Sequence, residues 1–312
     1  MTKPAAGDRS RATLVEGAQA RQAIIVGVVC YLLWGATPIL FMALGRAGAD
    51  AWEIVGQRAM WSAPWALLLV FSMGQGPELW RILRQPRTVG LLALSAASVS
   101  SGWVVFVWAV NHGRNLESSL GYYINPLMNM AAGAVLFRER IDRIGMVAIA
   151  LATLGVIVQT VALGHPPVVA LFLATTFWIY GLIRRQVDAD ALAGLCVECL
   201  LLAGPGLALV LWLHFHGQGI FGRGLSPSLL ISLTGPATVF PLALFSWTAR
   251  RLPFSTIGFI QFLSPTVSFV IGLAVGERLS PLGMLSFVFI WAGAVVFAFG
   301  AWRASRKIQR AE

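Results

Sequence analysis

Arg58 and Glu198 are ionisable residues set well inside long apolar runs, where a charge at the bilayer centre costs about 2.5–3.5 kcal/mol on insertion scales. Such a cost marks both as functional candidates. Arg58 lies about 9 Å into its run at 1.5 Å per residue, and Glu198 lies at a similar depth in its own. If those runs enter a membrane from opposite faces, the two charges flank one midplane cavity. A guanidinium there suits an anionic solute or a carboxylate, and Glu198 suits carriage of a coupling proton. A structural ion pair, or a side chain snorkelling to the interface, is the competing explanation.

Other polar groups fall in register with these. Glu53, Gln57 and Trp61 follow at i, i+4 and share one ridge with an acid, an amide and an aromatic ring. Glu53 also stands near the start of its run, where an acid favours the positive end of a helix. Further on, Glu117, Gly121, Asn125, Asn129 and Gly133 recur every four residues, and Pro126 frees the carbonyl of Tyr122. Tyr122 and Tyr123 add hydroxyls at that level, and Gln261 before Pro265 is the equivalent polar group in the second half. This ridge serves either solute binding or a close helix–helix seam, in which glycines permit approach and amides bond across. Trp34, Trp103 and Trp108 are candidates for stacking on a cyclic solute or for core packing. Trp80 and Trp302 fall near interfaces, where tryptophan anchors helices.

The elements that must carry these residues are transmembrane helices. The chain has 312 residues, 57% of them hydrophobic and 12% charged, against about a quarter charged in soluble domains. The periodicity and length of the apolar runs predict ten spans, roughly 24–44, 53–73, 88–110, 116–137, 143–163, 167–185, 192–214, 228–249, 255–275 and 281–302, joined by short loops. Residues 1–22 read as a disordered cytosolic tail without a signal-peptide pattern, and 304–312 as a basic cytosolic tail.

Of the 23 Lys and Arg, 18 fall on one side of this topology, Arg184 and Arg185 among them, and only Arg46, Arg114, Arg223 and Arg278 fall on the other. The positive-inside rule therefore puts both termini in the cytoplasm of a plasma (cell inner) membrane protein. It also accounts for the net charge of +10 without nucleic acid.

The halves repeat. Phe106-x-Trp108 matches Phe245-x-Trp247, Pro126 matches Pro265, Glu139-Arg140 matches Glu277-Arg278, and Gly155 matches Gly293, at offsets of about 139 residues. Five spans per half is an odd number, so the second half enters from the opposite face. The predicted fold is an all-α integral membrane protein with inverted five-helix repeats at 23–163 and 164–303, an architecture suited to alternating access.

Several segments resemble the RarD group of EamA-type transporters in the drug/metabolite transporter superfamily. They are Tyr31-x-x-Trp34-Gly35, Glu53-Ile54, Gln57-Arg58-x-x-Trp61-Ser62, Phe106-x-Trp108-Ala109-Val110-Asn111, the run from Glu117 to Leu127, Gly258-Phe259-x-Gln261-Phe262 and Gly276-Glu277. The resemblance implies a ten-helix permease for small organic solutes, historically linked to chloramphenicol sensitivity. Members of the group often carry His where Gln57 stands.

Other chemistries lack their residues. No phosphate-binding G-x-x-x-x-G-K-[ST] occurs, the four histidines lie near outer loops, and Lys is confined to the tails. Cys196-x-x-Cys199 lacks a second ligand pair, so neither metal nor cofactor is expected. The expected partners are a small solute, with protons as the candidate coupling ion, and the lipid bilayer, around a monomer or homodimer. An intramembrane enzyme acting on lipid-linked substrates and a passive channel are the alternatives.

Overall fold

Proline and glycine set the helix breaks of this chain, which the computed structural model describes over residues 6–112, 114–274 and 281–309. Ten membrane-length segments follow in order: α1 (Ala6–Arg46), α2 (Ala51–Ser72), α4 (Pro86–Asn111), α5 (Asn115–Val135), α6 (Arg143–Leu163), α7 (Val168–Gln186), α8 (Ala191–Phe215), the pair α9 (Leu225–Ser232) and α10 (Thr234–Ala249), the pair α11 (Phe254–Gln261) and α12 (Leu263–Ala274), and α13 (Pro281–Gln309). Among the described residues there is no strand. Eight segments are long and apolar enough to cross a membrane by composition alone. The other two are α5, which carries the polar ridge, and the broken α11–α12.

Both broken spans follow one rule. Pro236 and Pro265 stand three residues after the breaks at Leu233 and Phe262 and cannot donate to the carbonyls of Ser232 and Gln261, so the ladder is interrupted there. Side chains cap two of the starts: Asp50 accepts from Trp52 N–H at 2.7 Å and Asp142 from Gly145 N–H at 2.8 Å. Gly164 ends α6 in the left-handed conformation, at φ 73°.

Three features differ from the sequence reading. Helix α1 starts at Ala6, within the segment read as a disordered tail, because Ala, Arg, Leu, Glu and Gln there are good helix formers. Likewise α13 continues to Gln309 through the basic tail. The stretch after α2 is not plain loop but an eight-residue amphipathic helix, α3 (Gly76–Leu83), which buries Leu79 and Ile82 and exposes Trp80. Within α3 Arg81 pairs with Glu78, and at 3.2 Å it ties the helix to Asp188 ahead of α8; its bonds to Glu78 hold that carboxyl below its ordinary range. The Gly276–Arg278 motif and the side chain of Trp302 lie outside the described residues.

The spans pack in a pattern that exchange of the two halves leaves unchanged. Helix α6 packs on α13 and α2 on α8, while α4 and α5 pack on α7 as α10 and α12 pack on α1. Glycines permit the closest approaches. A Cβ on Gly155 would sit 2.8 Å from Ser286 O, and one on Gly293 would sit 2.7 Å from Ala148 O, so the α6–α13 seam is built from reciprocal glycines. We expect Gly155→Val and Gly293→Val each to cost about 1–3 kcal/mol by overpacking. The check is membrane abundance and detergent stability of each variant, with Gly90→Val, where a Cβ meets nothing within 4 Å, as the control.

Candidate functional site

Helix α2 is held from its first turn. Glu53 accepts from the N–H groups of Ile220, at 2.8 Å, and Phe221, at 3.0 Å, across to the segment before α9. Gly219 allows that approach: its φ is +92°, and a Cβ there would lie 2.7 Å from Glu53 Oε1. Glu53→Ala therefore strands two buried donors, an expected cost of about 1–3 kcal/mol, read as faster proteolysis within residues 217–224. One turn on, Gln57 Oε1 accepts from Trp61 Nε1–H at 2.9 Å, which leaves the Gln57 Nε2 donors buried without a partner.

Arg58 follows on the face toward α4 and α10. Its Nε–H donates to Thr238 Oγ1 at 3.1 Å, and Thr238 donates onward to Thr234 O at 2.7 Å. The guanidinium lies 4.3 Å above the Trp103 ring and 5.6 Å from the Phe41 ring, two cation–π contacts from α4 and α1. Among the described residues no carboxylate pairs with it. No described residue accepts a hydrogen bond from its two Nη groups, which are not sealed from the space beside them. Tyr122 is 50% exposed and its ring meets Phe106 edge-on.

Beside Arg58 lies a narrow cavity of about 10 Å³, room for about one water, lined among others by Ser62, Trp103, Thr238, Tyr180 and Glu198. At its far end stands a buried pair. Arg184 Nη1 lies 3.9 Å from Glu198 Oε1, with side-chain exposures of 0% and 3%. Arg184 is anchored separately, Nε–H to Ser246 Oγ at 3.0 Å and Nη2–H to Ala191 O at 2.5 Å. Its Nη1 and both Glu198 oxygens have no hydrogen-bond partner. The positive-inside reading counts Arg184 with Arg185 as the charged end of its span, whereas in the structure the Arg184 side chain turns into the protein. Only Arg185 reaches the protein edge, where it stacks 4.1 Å from Phe137 and bonds Leu252 O. Spacing holds the signal: Arg184 is one turn after Tyr180, on the face that meets Ser246, whereas Arg185 is not.

The remaining candidates have structural partners. Glu117 caps α7 by accepting from Val169 N–H at 2.7 Å, and Arg114 stands 3.7 Å from its other oxygen. Glu139, named only as a repeat match in the sequence, does the same for α11, accepting from Phe254 and Ser255 N–H at 2.8 and 3.1 Å. Asn125, Asn129 and Gln261 form a closed amide cluster in which Asn129 Nδ2 donates to Gln261 Oε1 at 2.8 Å and Asn125 Nδ2 donates to Ala174 O at 2.8 Å. All three are buried, so this part of the ridge is a seam joining α5, α7 and α11. Trp34 joins Phe177 and Phe245 in an aromatic cluster, and Tyr123 packs edge-on to Phe287. Trp108 is 38% exposed and stacks on His112 near the end of α4, away from the cavity.

The fold and this interior define a class: a polytopic helical membrane protein of ten spans around a cavity that holds an open cation. The particular family follows from its relatives. The EamA-like transporter family matches residues 21–161, the stretch of the first five spans. An uncharacterized transporter of Pseudomonas aeruginosa is 42% identical, with 93% of this chain and 98% of that one covered. Protein RarD of Escherichia coli is 32% identical over 95% of this chain and 100% of its own, and RarD of Streptomyces exfoliatus 35% identical over 92% and 91%. A solved crystal structure superposes with a TM-score of 0.66 at 19% identity, covering 88% of this chain and 96% of that one, which shows the fold alone. The chain belongs to the EamA-like transporter family, in its RarD group, and is a multi-pass inner-membrane transporter of the drug/metabolite superfamily.

Proposed function

We propose that this protein is a secondary carrier that moves small organic anions with an apolar or aromatic part by alternating access, with Arg58 as the anion anchor. The observation that carries this is the pair of unpartnered, open Nη groups on an interior guanidinium. A charge held inside a membrane protein without a counter-charge is costly, and a carboxylate from a solute would complete the planar fork with two parallel bonds. Trp103 and Phe41 supply flanking rings against which the apolar part stacks.

The repeated motifs, the packing pattern that survives exchange of halves, and the discontinuous eighth and ninth spans support a rocking mechanism. The arginine bias supports a cytoplasmic location for both termini and for the end that carries Arg185 and Arg250.

Counterflow tests the reading. The purified transporter is reconstituted in proteoliposomes and offered labelled aromatic and aliphatic amino acids, small carboxylate metabolites and amphenicols. A carrier shows saturable entry that unlabelled solute inside the vesicle accelerates. Entry that never saturates means a channel, and a chemically altered solute means an enzyme.

A further inference from the structure

Resting on the carrier reading, we propose that Glu198 is the proton site of the transport cycle, and that Arg184, released when Glu198 is protonated, becomes a second anion site behind Glu198. The carboxylates of this protein divide sharply. Glu53, Glu117 and Glu139 each accept backbone N–H bonds of 2.7–3.0 Å and are committed to holding helix and loop ends. Glu198 is as buried as Glu53 and Glu117 and accepts none, although it lines the cavity and both oxygens are sealed from solvent. Its one charged neighbour, Arg184, stays at 3.9 Å, beyond hydrogen-bond reach. A carboxylate so weakly held is free to exchange its cation for a proton.

Arg184 is built to remain when that happens. Ser246 and Ala191 fix two of its nitrogens without help from Glu198, and Nη1, the third, is buried without a hydrogen-bond partner. Gly194 leaves it room, since a Cβ there would lie 2.4 Å from Nη1. The groups facing Glu198 are Arg184 and Tyr180 from α7, Cys199 on α8 itself and the Ser95 hydroxyl from α4; α10 offers only the hydroxyls of Thr238 and Ser246, and α2 contributes Arg58 at the opposite end. No second acid shares the site.

The charges balance through the step. Glu198 carboxylate and Arg184 sum to zero. A proton on Glu198 breaks the ion pair and leaves +1, and an arriving monoanion returns the site to zero. One proton then travels with one monoanion, and neither move leaves the cavity with more than one uncompensated charge beyond Arg58.

Two measurements test this on the full-length transporter in lipid. Infrared difference spectra recorded over a pH titration should show a carboxylic-acid carbonyl band that is lost in Glu198→Gln and moves to higher pH, by about one unit or more, in Arg184→Gln. With a solute that passes counterflow, an imposed pH gradient should drive accumulation in the wild type by up to about tenfold per pH unit for one-to-one coupling. Glu198→Gln should keep counterflow and lose accumulation. The double variant Arg184→Gln/Glu198→Gln, which leaves no stranded charge, should likewise lose accumulation, with counterflow weakened by the missing anion site, and serves if the single variant inserts poorly. A band unchanged in Glu198→Gln, or accumulation that survives it, overturns the proton site and leaves the carrier reading standing. Absence of wild-type counterflow for every solute overturns both.

Discussion

Arg58→Ala is expected to lower saturable uptake about 100-fold while leaving the protein as stable as the wild type or more so. The two halves of that result come from one cause. A guanidinium withdrawn into the protein has lost hydration, and Thr238 with two ring faces returns only part of it. Removing the side chain removes that cost, so melting temperature in detergent should hold or rise. Transport loses a charge-assisted bidentate contact worth about 2–5 kcal/mol, hence the large fall in uptake. Arg58→Lys keeps the charge without the fork and should fall between. The checks are concentration-dependent uptake and thermal unfolding on the same preparations. If stability collapses together with uptake, Arg58 is an architectural residue and the anion anchor lies elsewhere.

The sequence carried the spans because a membrane reads apolar length directly, and ten runs of that length survive in the structure with ends shifted by a few residues. It carried α3 poorly, since eight residues hold too little periodicity to stand out from a loop. Side-chain commitments were legible only where the partner is local. Glu53 reads as a helix-start acid, yet the groups it holds are Ile220 and Phe221, more than 160 positions away. The ridge from Glu117 to Gly133 was visible as a ridge, but Gln261, which turns its amides into a seam, arrives from the other half of the chain. Arg184 was hidden by the rule that served best elsewhere. Charge counting treats every arginine at a span end alike, and only packing reveals which of two adjacent arginines turns inward.

That inward arginine and its acid lead to the second large effect, an asymmetry between their removals. Glu198→Leu is expected to destabilise by about 3–5 kcal/mol, because it strands a buried guanidinium, and a guanidinium cannot shed its charge in a protein. Arg184→Leu should cost less, and its deficit should shrink as pH falls, because the stranded carboxyl can discharge itself by binding a proton. The double replacement Arg184→Leu/Glu198→Leu should return to within about 1 kcal/mol of the wild type, since apolar side chains of similar volume then fill a dry site between α7 and α8. Thermal unfolding of the three variants over a pH series separates the possibilities. If both single replacements cost the same at every pH, the pair is a fixed structural link and Glu198 never trades its cation for a proton. If the double variant is stable, inserted and no longer accumulates solute against a pH gradient, the pair is retained for transport at the expense of stability, as Arg58 is at the other end of the same cavity.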